Sequence, residues 1–254
     1  MLHAERKIKA VFFDLGYTLI YFDGDFSRIV EESYLVLANK LVEAGYVLDT
    51  STFVAKFNEK MQAYYRQREL DLIERPVDKI LKEILSEFKI NTIPAAIYRA
   101  AMDEMYINTE RHWQIEKETH ATLQQLVDAN YKLAIITNAS DAWDVNNLID
   151  NHGLRKYFDC VLISAEEGIR KPDTRIFAKA AQTLGVELED CVMVGDTLNA
   201  DILGAHASGI KAVWVKRRKN ELDTSSLSNK QLIPDAEIDS LEALLPILTI
   251  WQTL

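Results

Sequence analysis

The chain has 254 residues, enough for one large domain or for a domain with an insertion. Apolar residues make up 48% of it, which suits a packed core and excludes a largely disordered chain. The formal net charge of −10 argues against electrostatic capture of nucleic acid or of an anionic membrane surface. An acidic protein that handles an anionic substrate must concentrate positive charge locally, through a metal ion, lysines or backbone amides.

Short apolar runs rich in Val, Ile and Phe predict five strands and a weaker sixth. The runs are continuous rather than alternating, which indicates strands covered on both faces, and helical patterns separate them. We therefore expect an α/β fold with a doubly wound parallel sheet, in which ligands bind beyond the carboxyl ends of the strands. The predicted strands are Ile8–Phe13, Lys132–Thr137, Asp159–Ser164, Cys191–Gly195, Lys211–Val215 and the weaker Ala236–Ile238.

An insertion without a strand-like run lies between the first two strands, from about Tyr21 to Trp113. Its apolar residues repeat at helical spacing in four stripes, which predicts an all-helical cap over the strand ends. The expected division is a core domain of residues 1–20 and 114–254 and a cap domain of residues 21–113. The stripes begin at Phe26, Phe53, Val77 and Ile97.

The two ends and the cysteines predict a cytoplasmic protein. The charged N-terminus is followed by a strand-like run, which is unlike a signal peptide. The C-terminal stretch Leu241–Leu254 is broken by Pro246 and too short to cross a bilayer, so we expect a final helix packed on the sheet or on a partner, in a monomer or homodimer. Cys160 and Cys191 lie in predicted strands and indicate buried thiols in a reducing compartment.

Carboxylates follow two of the predicted strands directly. Asp14 comes after the first strand, and Asp196 and Asp201 come after the fourth. Side by side at one edge of a sheet, these groups would repel one another unless a divalent cation joined them. The sequence therefore predicts a Mg²⁺ site at this edge.

Phosphate-compatible groups follow other strands. Thr137 and Asn138 end the second sheet strand, where a hydroxyl and free backbone amides suit phosphate oxygens. Lys171 lies in a loop that opens a helix, and its charge could offset both a phosphate and a carboxylate nucleophile. Taken singly, each has an ordinary alternative as a helix cap or a solvated surface residue. The set at successive strand ends is far more specific.

In this order the residues resemble the four motifs of the haloacid dehalogenase-like (HAD) hydrolase superfamily, and the resemblance covers the whole chain, cap included. It implies a Rossmann-like core and a phosphatase that hydrolyses a small phosphorylated metabolite through an aspartyl-phosphate. The motif residues are Asp14, Thr137-Asn138, Lys171-Pro172 and Gly195-Asp196 with Asp201.

The resemblance also implies a role for each residue. Asp14 would be the nucleophile, assisted by Lys171. Thr137, Asn138 and Lys171 would hold the phosphate.

The implied Mg²⁺ ligands are Asp14, the carbonyl oxygen of Gly16, and Asp196. Asp201 would support a metal-bound water or the lysine.

Gly16 departs from the pattern of the superfamily's phosphatases, which usually carry a second aspartate at this position. That aspartate protonates the leaving alkoxide and then activates water, and glycine can do neither. Acid–base catalysis of this kind is typically worth about 10²–10⁴ in rate. The hydroxyl of Tyr17 is a poor substitute as a base, since its ordinary pKa is near 10.

Two other functions stay open at this point. One is a phosphate- or metabolite-binding protein that has lost turnover. The other is a metal-free 2-haloacid dehalogenase, a branch that also lacks the second aspartate, although the pair Asp196 and Asp201 favours Mg²⁺ chemistry. The substrate is not encoded in the motifs, and the candidate cap contacts are Tyr65, Arg66 and Arg68.

Overall fold

A six-stranded parallel sheet forms the centre of the structure, a computed structural model that describes residues 8–217 and 232–253. The strand order is β5-β4-β1-β6-β7-β8, so the chain turns back across β1 to build the second half of the sheet. The predicted doubly wound α/β sheet is confirmed, with some strands one or two residues shorter than expected. The strands are β1 (Ala10–Phe13), β4 (Lys132–Thr137), β5 (Cys160–Ile163), β6 (Cys191–Gly195), β7 (Lys211–Val215) and β8 (Ala236–Ile238).

Strand β1 shows why the apolar runs are continuous. Val11 and Phe13 point into one hydrophobic layer, whereas Ala10 and Phe12 point into the other, and all four are fully buried. Helices cover both faces, as expected for a parallel sheet. The first layer holds α5 (Thr119–Asp128), α6 (Ala142–Asn151) and α10 (Leu244–Thr253), and the second holds α8 (Thr174–Leu184) and α9 (Leu203–Ala207), with the short α7 (Ser164–Glu167) after β5.

Four helices form the insertion, as the four apolar stripes predict. They enclose a core of their own, in which Leu37, Phe53, Phe57 and Ile84 are fully buried. Asp25 caps the first of them by accepting a hydrogen bond from the backbone N–H of Arg28, which fixes where the helix begins. The helices are α1 (Phe26–Glu43), α2 (Thr50–Asp71), α3 (Val77–Glu87) and α4 (Ala95–Glu110).

The expectation that the insertion contains no strand is wrong at its two ends. The chain leaves the core through β2 (Ile20–Phe22) and returns through β3 (Trp113–Ile115), and the two pair in antiparallel register with Phe22 opposite Trp113. Three-residue strands are too short to show a periodic pattern, so only their pairing reveals them. This small sheet carries Trp113 to the strand ends of the core.

The C-terminal helix and the cysteines occupy the core. Leu244 and Leu248 of α10 are buried in the first layer, so this helix packs on the same face of the sheet as α5 and α6. Cys160 and Cys191 are buried free thiols in β5 and β6. Within the two described ranges, no helix combines the length and apolar character needed to cross a membrane.

Candidate active site

Asp14 lies at the carboxyl end of the central strand. Its backbone N–H donates to the carbonyl oxygen of Val194 at 2.9 Å, which continues the β1–β6 pairing by one residue and fixes the position of the side chain. The carboxylate Oδ1 accepts a hydrogen bond from Lys171 Nζ at 2.7 Å. A carboxylate anchored in this way is rigid, which a nucleophile requires.

Lys171 is buried, with 1% of its side chain exposed, and reaches two carboxylates at once. Its Nζ lies 2.7 Å from Oδ1 of Asp14 and 2.7 Å from Oδ1 of Asp201. The side chain of Asn138 holds the lysine's backbone on both sides. Its Nδ2 donates to the Lys171 carbonyl, and its Oδ1 accepts from the Lys171 N–H, each at 2.9 Å.

These two hydrogen bonds let Asn138 position the backbone of Lys171, a role that the sequence does not predict. Both polar atoms of the Asn138 side chain bond to Lys171. Phosphate binding by Asn138 stays a prediction, and its backbone N–H would be the donor. Thr137 is buried at the end of β4 and lines the same cavity.

Asp196 directly follows β6, and Asp201 lies in the π-helical turn Leu198–Ile202 that comes next. Oδ2 of Asp201 accepts from the Thr197 N–H at 2.9 Å, and the Asp196 carbonyl accepts from Trp214 Nε1 at 2.7 Å. Gly195 is required by close approach, because a Cβ there would lie 2.2 Å from Oδ2 of Asp201. The glycine thus lets the second carboxylate fold back towards the strand end.

The charges at this edge do not balance. Oxygen atoms of Asp14, Asp196 and Asp201 lie within 4.8 Å of one another, against the single ammonium of Lys171. Burial, and then the nearby Asp201, raises the pKa of Asp14 to about 6, although Lys171 opposes the shift. Burial and the two other carboxylates raise the pKa of Asp196 well above its ordinary value.

The lysine remains charged in this setting. Burial by itself lowers the pKa of Lys171, but Asp14 and Asp201 raise it by more, so that the net direction is upward. Three carboxylates and one ammonium leave an excess of negative charge, and this oxygen donor set fits a hard divalent cation such as Mg²⁺. Because Asp201 is engaged with Lys171 and the Thr197 N–H, Asp14 and Asp196 are the carboxylates best placed to hold it.

A cavity of about 570 Å³ opens over these groups between the core and the cap. All seven residues that the sequence predicts for the site line this cavity, and their individual roles stay predictions. The seven are Asp14, Gly16, Thr137, Asn138, Lys171, Asp196 and Asp201. Of the candidate cap contacts, Arg68 lines this cavity, Tyr65 lines an adjoining cavity of about 160 Å³ that cap helices and the core residue Asp144 enclose together, and Arg66 is exposed.

Gly16 faces the returning strand of the cap. A Cβ at this position would lie 3.4 Å from Cη2 of Trp113, which is ordinary van der Waals contact. Tyr17 adopts a left-handed backbone (φ 58°), and its ring contacts Trp113 with centroids 5.6 Å apart. The indole therefore forms the wall beside the position where a second aspartate would project.

Among the cavity-wall residues that sequence reasoning missed are Trp113, Asp144 and Arg170. Arg170 directly precedes Lys171, so its proximity could have been expected from the motif. Trp113 and Asp144 also line the smaller cavity, and no sequence pattern marks them. Burial, followed by the nearby carboxylates of Glu110 and Asp141, raises the pKa of Asp144 well above its ordinary value.

Comparisons with known proteins agree with this geometry. A family model described as haloacid dehalogenase-like hydrolase matches residues 8–209. A glyceraldehyde 3-phosphate phosphatase of Methanopyrus kandleri is 30% identical over 242 residues, covering 94% of this chain and 97% of that protein.

Solved structures of both a phosphatase and a dehalogenase resemble the fold. A HAD phosphatase from Thermococcus onnurineus has a TM-score of 0.64 at 25% identity, over 94% of this chain and 97% of the other. A 2-haloacid dehalogenase from Pseudomonas syringae pv. Tomato DC3000 has a TM-score of 0.68 at 26% identity, over 96% and 99%. With the family match spanning most of its length, this chain belongs to the haloacid dehalogenase-like hydrolase family.

Proposed function

We propose that this hydrolase is a Mg²⁺-dependent phosphatase of a small phosphorylated metabolite. One observation carries the proposal: the Asp14 carboxylate lies 2.7 Å from a buried lysine, inside a cluster of three carboxylates at the floor of a cavity of about 570 Å³. The relative named as a glyceraldehyde 3-phosphate phosphatase supports phosphate ester chemistry in a chain of this length.

Asp14, Asp196 and the carbonyl oxygen of Gly16 would hold the magnesium ion. When bound, the ion offsets the charge of the substrate phosphate and of the carboxylates around it. The excess negative charge of the cluster supports this assignment, since a dianionic phosphate would otherwise be repelled from Asp14.

The residues of the chain account for two chemical steps. A carboxylate oxygen of Asp14 forms a bond to phosphorus while the bond from phosphorus to the leaving oxygen breaks. Water then hydrolyses the aspartyl-phosphate, which releases inorganic phosphate and restores Asp14. Thr137 and backbone amides at the end of β4 would hold the phosphate oxygens, with the ammonium of Lys171 beside them.

Proton transfer to the leaving oxygen is the step for which Gly16 provides no group. We therefore expect good leaving groups, such as nitrophenolate, to be released much faster than alkoxides. If the missing proton donor abolished turnover altogether, the protein would bind phosphate esters without hydrolysing them.

The metal-free 2-haloacid dehalogenase is the second candidate, and the similarity to the solved structure of a 2-haloacid dehalogenase favours it. In a dehalogenase Asp14 would displace halide from carbon, and no metal would be needed. The unbalanced carboxylates Asp14 and Asp196 argue for the phosphatase, because burial and mutual repulsion make such a pair unfavourable without a cation.

Turnover of p-nitrophenyl phosphate tests the proposal. We expect activity that requires Mg²⁺, is lost in EDTA and is abolished in Asp14→Asn, while the exposed Asp23→Asn serves as the matched control. Equal activity in Asp14→Asn, or in EDTA, contradicts the phosphatase assignment. Metal-independent release of chloride from 2-chloropropionate would establish the dehalogenase instead.

We also propose that the chain divides into a core of residues 1–20 and 114–254 and a cap of residues 21–113. The pairing of β2 with β3 supports this division, because it joins the two points where the chain leaves and re-enters the core. The cytoplasmic location expected from the free thiols stays a prediction.

A further inference from the structure

Two arginines, one from the cap and one from the core, line the cavity above Asp14. Arg170 belongs to the core and directly precedes Lys171, whereas Arg68 lies in the last turn of the cap helix α2. Both line the same cavity as Asp14. Neither takes part in the proposed chemistry on phosphorus, so their placement calls for another explanation.

The hydrogen bonding of the two guanidinium groups is incomplete. The Nε atoms of Arg68 and Arg170 are buried and have no hydrogen-bond partner, and only 7% of the Arg170 side chain is exposed. Buried polar groups of this kind are normally satisfied, particularly when they are charged. The protein's own contacts therefore leave both guanidinium groups incompletely satisfied, and both residues line a cavity that could hold a further acceptor.

The carboxylates already near the arginines do not fill this role. Glu74 is fully buried and accepts hydrogen bonds from the hydroxyls of Tyr64 and Ser164. It lies 3.5 Å from Nη1 of Arg68 and 3.5 Å from Nε of Arg170, too far for strong hydrogen bonds to either.

Among the described residues, Glu69 makes the shortest ion pair with Arg170, from its Oε1 to Nη1 at 2.8 Å. It lies on the cap surface with 64% of its side chain exposed, so water screens the Glu69 carboxylate although Arg170 itself is buried. An anion bound in the cavity could therefore compete with Glu69 for the guanidinium.

We infer that Arg68 and Arg170 bind a carboxylate on the phosphorylated substrate, at the end opposite the phosphate. The inference rests on the proposed phosphatase function. Guanidinium groups match the planar, two-oxygen geometry of a carboxylate. A second phosphate fits less well, because Glu69 and Glu74 already place two negative charges beside the two arginines.

An ordinary structural role is the competing explanation. In that case the arginines only tie the cap to the core, through Glu69 and Glu74. The two explanations predict opposite effects of Glu69→Gln. Loss of a tie weakens the closed arrangement, whereas removal of a competing carboxylate frees Arg170 for the ligand.

Calorimetric titration of the whole protein in Mg²⁺ separates them. The probes are 3-phosphonopropionate and propylphosphonate, which have the same chain length and differ by the carboxylate. We expect the carboxylate ligand to bind about 10- to 100-fold more tightly. Arg68→Met should remove this preference, and Glu69→Gln should increase it.

Arg66→Met is the matched control, because Arg66 lies on the same helix, is exposed and does not line the cavity. It should keep the full preference. Equal affinity of wild-type protein for both phosphonates overturns the inference, as does a parallel loss of binding for both ligands in Arg68→Met and Glu69→Gln. If p-nitrophenyl phosphate is not hydrolysed, the proposed function fails, while the phosphonate preference still decides the carboxylate site.

Discussion

Substitution of Gly16 by aspartate tests whether the missing proton donor limits the reaction. The backbone of Gly16 is not left-handed, so a side chain is allowed there. Its Cβ would lie 3.4 Å from Cη2 and 3.7 Å from Cζ3 of Trp113, which is contact without overlap. The new carboxyl group can thus be accommodated with small movements of the indole.

The charges around this position favour the acid form of the new residue. Three carboxylates already crowd the cluster, and repulsion among them helps to raise the pKa of Asp14 to about 6, after burial. A fourth carboxyl group beside them would hold its proton more readily than a solvated one. At neutral pH it could therefore donate that proton to a leaving alkoxide.

The expected gain depends on the leaving group. For alkyl phosphates, which need a proton in the transition state, kcat should rise by up to about 10²–10⁴ in Gly16→Asp. For p-nitrophenyl phosphate, whose leaving group is stable as an anion, kcat should change little. The assay is phosphate release from a series of aryl and alkyl phosphates, compared as a slope of log kcat against leaving-group pKa.

Gly16→Asn is the matched control, since it has nearly the same size and no carboxyl proton to give. A gain in the aspartate variant alone supports proton transfer. If the wild-type protein already hydrolyses alkyl phosphates quickly and both variants slow it, another group or an ordered water supplies the proton, and the reasoning about Gly16 is refuted.

Three further predictions concern the charges of the site. Lys171→Met leaves two carboxylates unpaired and should lower the free energy of unfolding by about 3–5 kcal/mol in EDTA, measured by urea denaturation, with partial recovery in Mg²⁺. Mg²⁺ should raise Tm more at pH 8 than at pH 5, because the raised pKa values of Asp14 and Asp196 make protons compete with the metal at low pH. Asp144→Asn should raise Tm, and by more at pH 8 than at pH 5. The raised pKa means that the Asp144 carboxyl keeps its proton in the folded state after the unfolded chain has released it, so wild-type stability falls as pH rises from about 4.

Each of these has a contrary result. Unchanged urea stability of Lys171→Met in EDTA would mean that the carboxylates take up protons without penalty. A Tm shift by Mg²⁺ that persists in Asp196→Asn would place the metal elsewhere. A gain in Asp144→Asn that is independent of pH would show that the Asp144 carboxyl is not held protonated in the folded protein.

The sequence determined the architecture because local patterns carry it. Continuous apolar runs such as Cys191–Gly195 favour strands covered on both faces, and the apolar stripe of Val77–Glu87 favours a helix that buries one side. The order of Asp14, Lys171 and Asp196 after strands was likewise visible, since parallel strands end at the same edge of a sheet.

Short pairings and close approaches depended on the tertiary structure. Strands β2 and β3 have three residues each, and no local pattern predicts that they pair. The need for glycine at Gly195 follows from where Asp201 folds back, and the hold of Asn138 on Lys171 follows from the meeting of two distant loops. These features have no periodic signal because they depend on single close contacts and not on a repeated pattern.

The cavity wall was decided by the docking of the cap on the core. Arg68 was one of several candidates in the sequence, and its neighbour Arg66 had the same charge and the same helix. The packing of α2 places Arg68 at the cavity that Arg170 also lines and leaves Arg66 in solvent. Sequence motifs mark the residues at the strand ends, because the strands position them. The side chains that the cap contributes to the cavity depend on how the cap packs on the core, which is a property of the folded molecule.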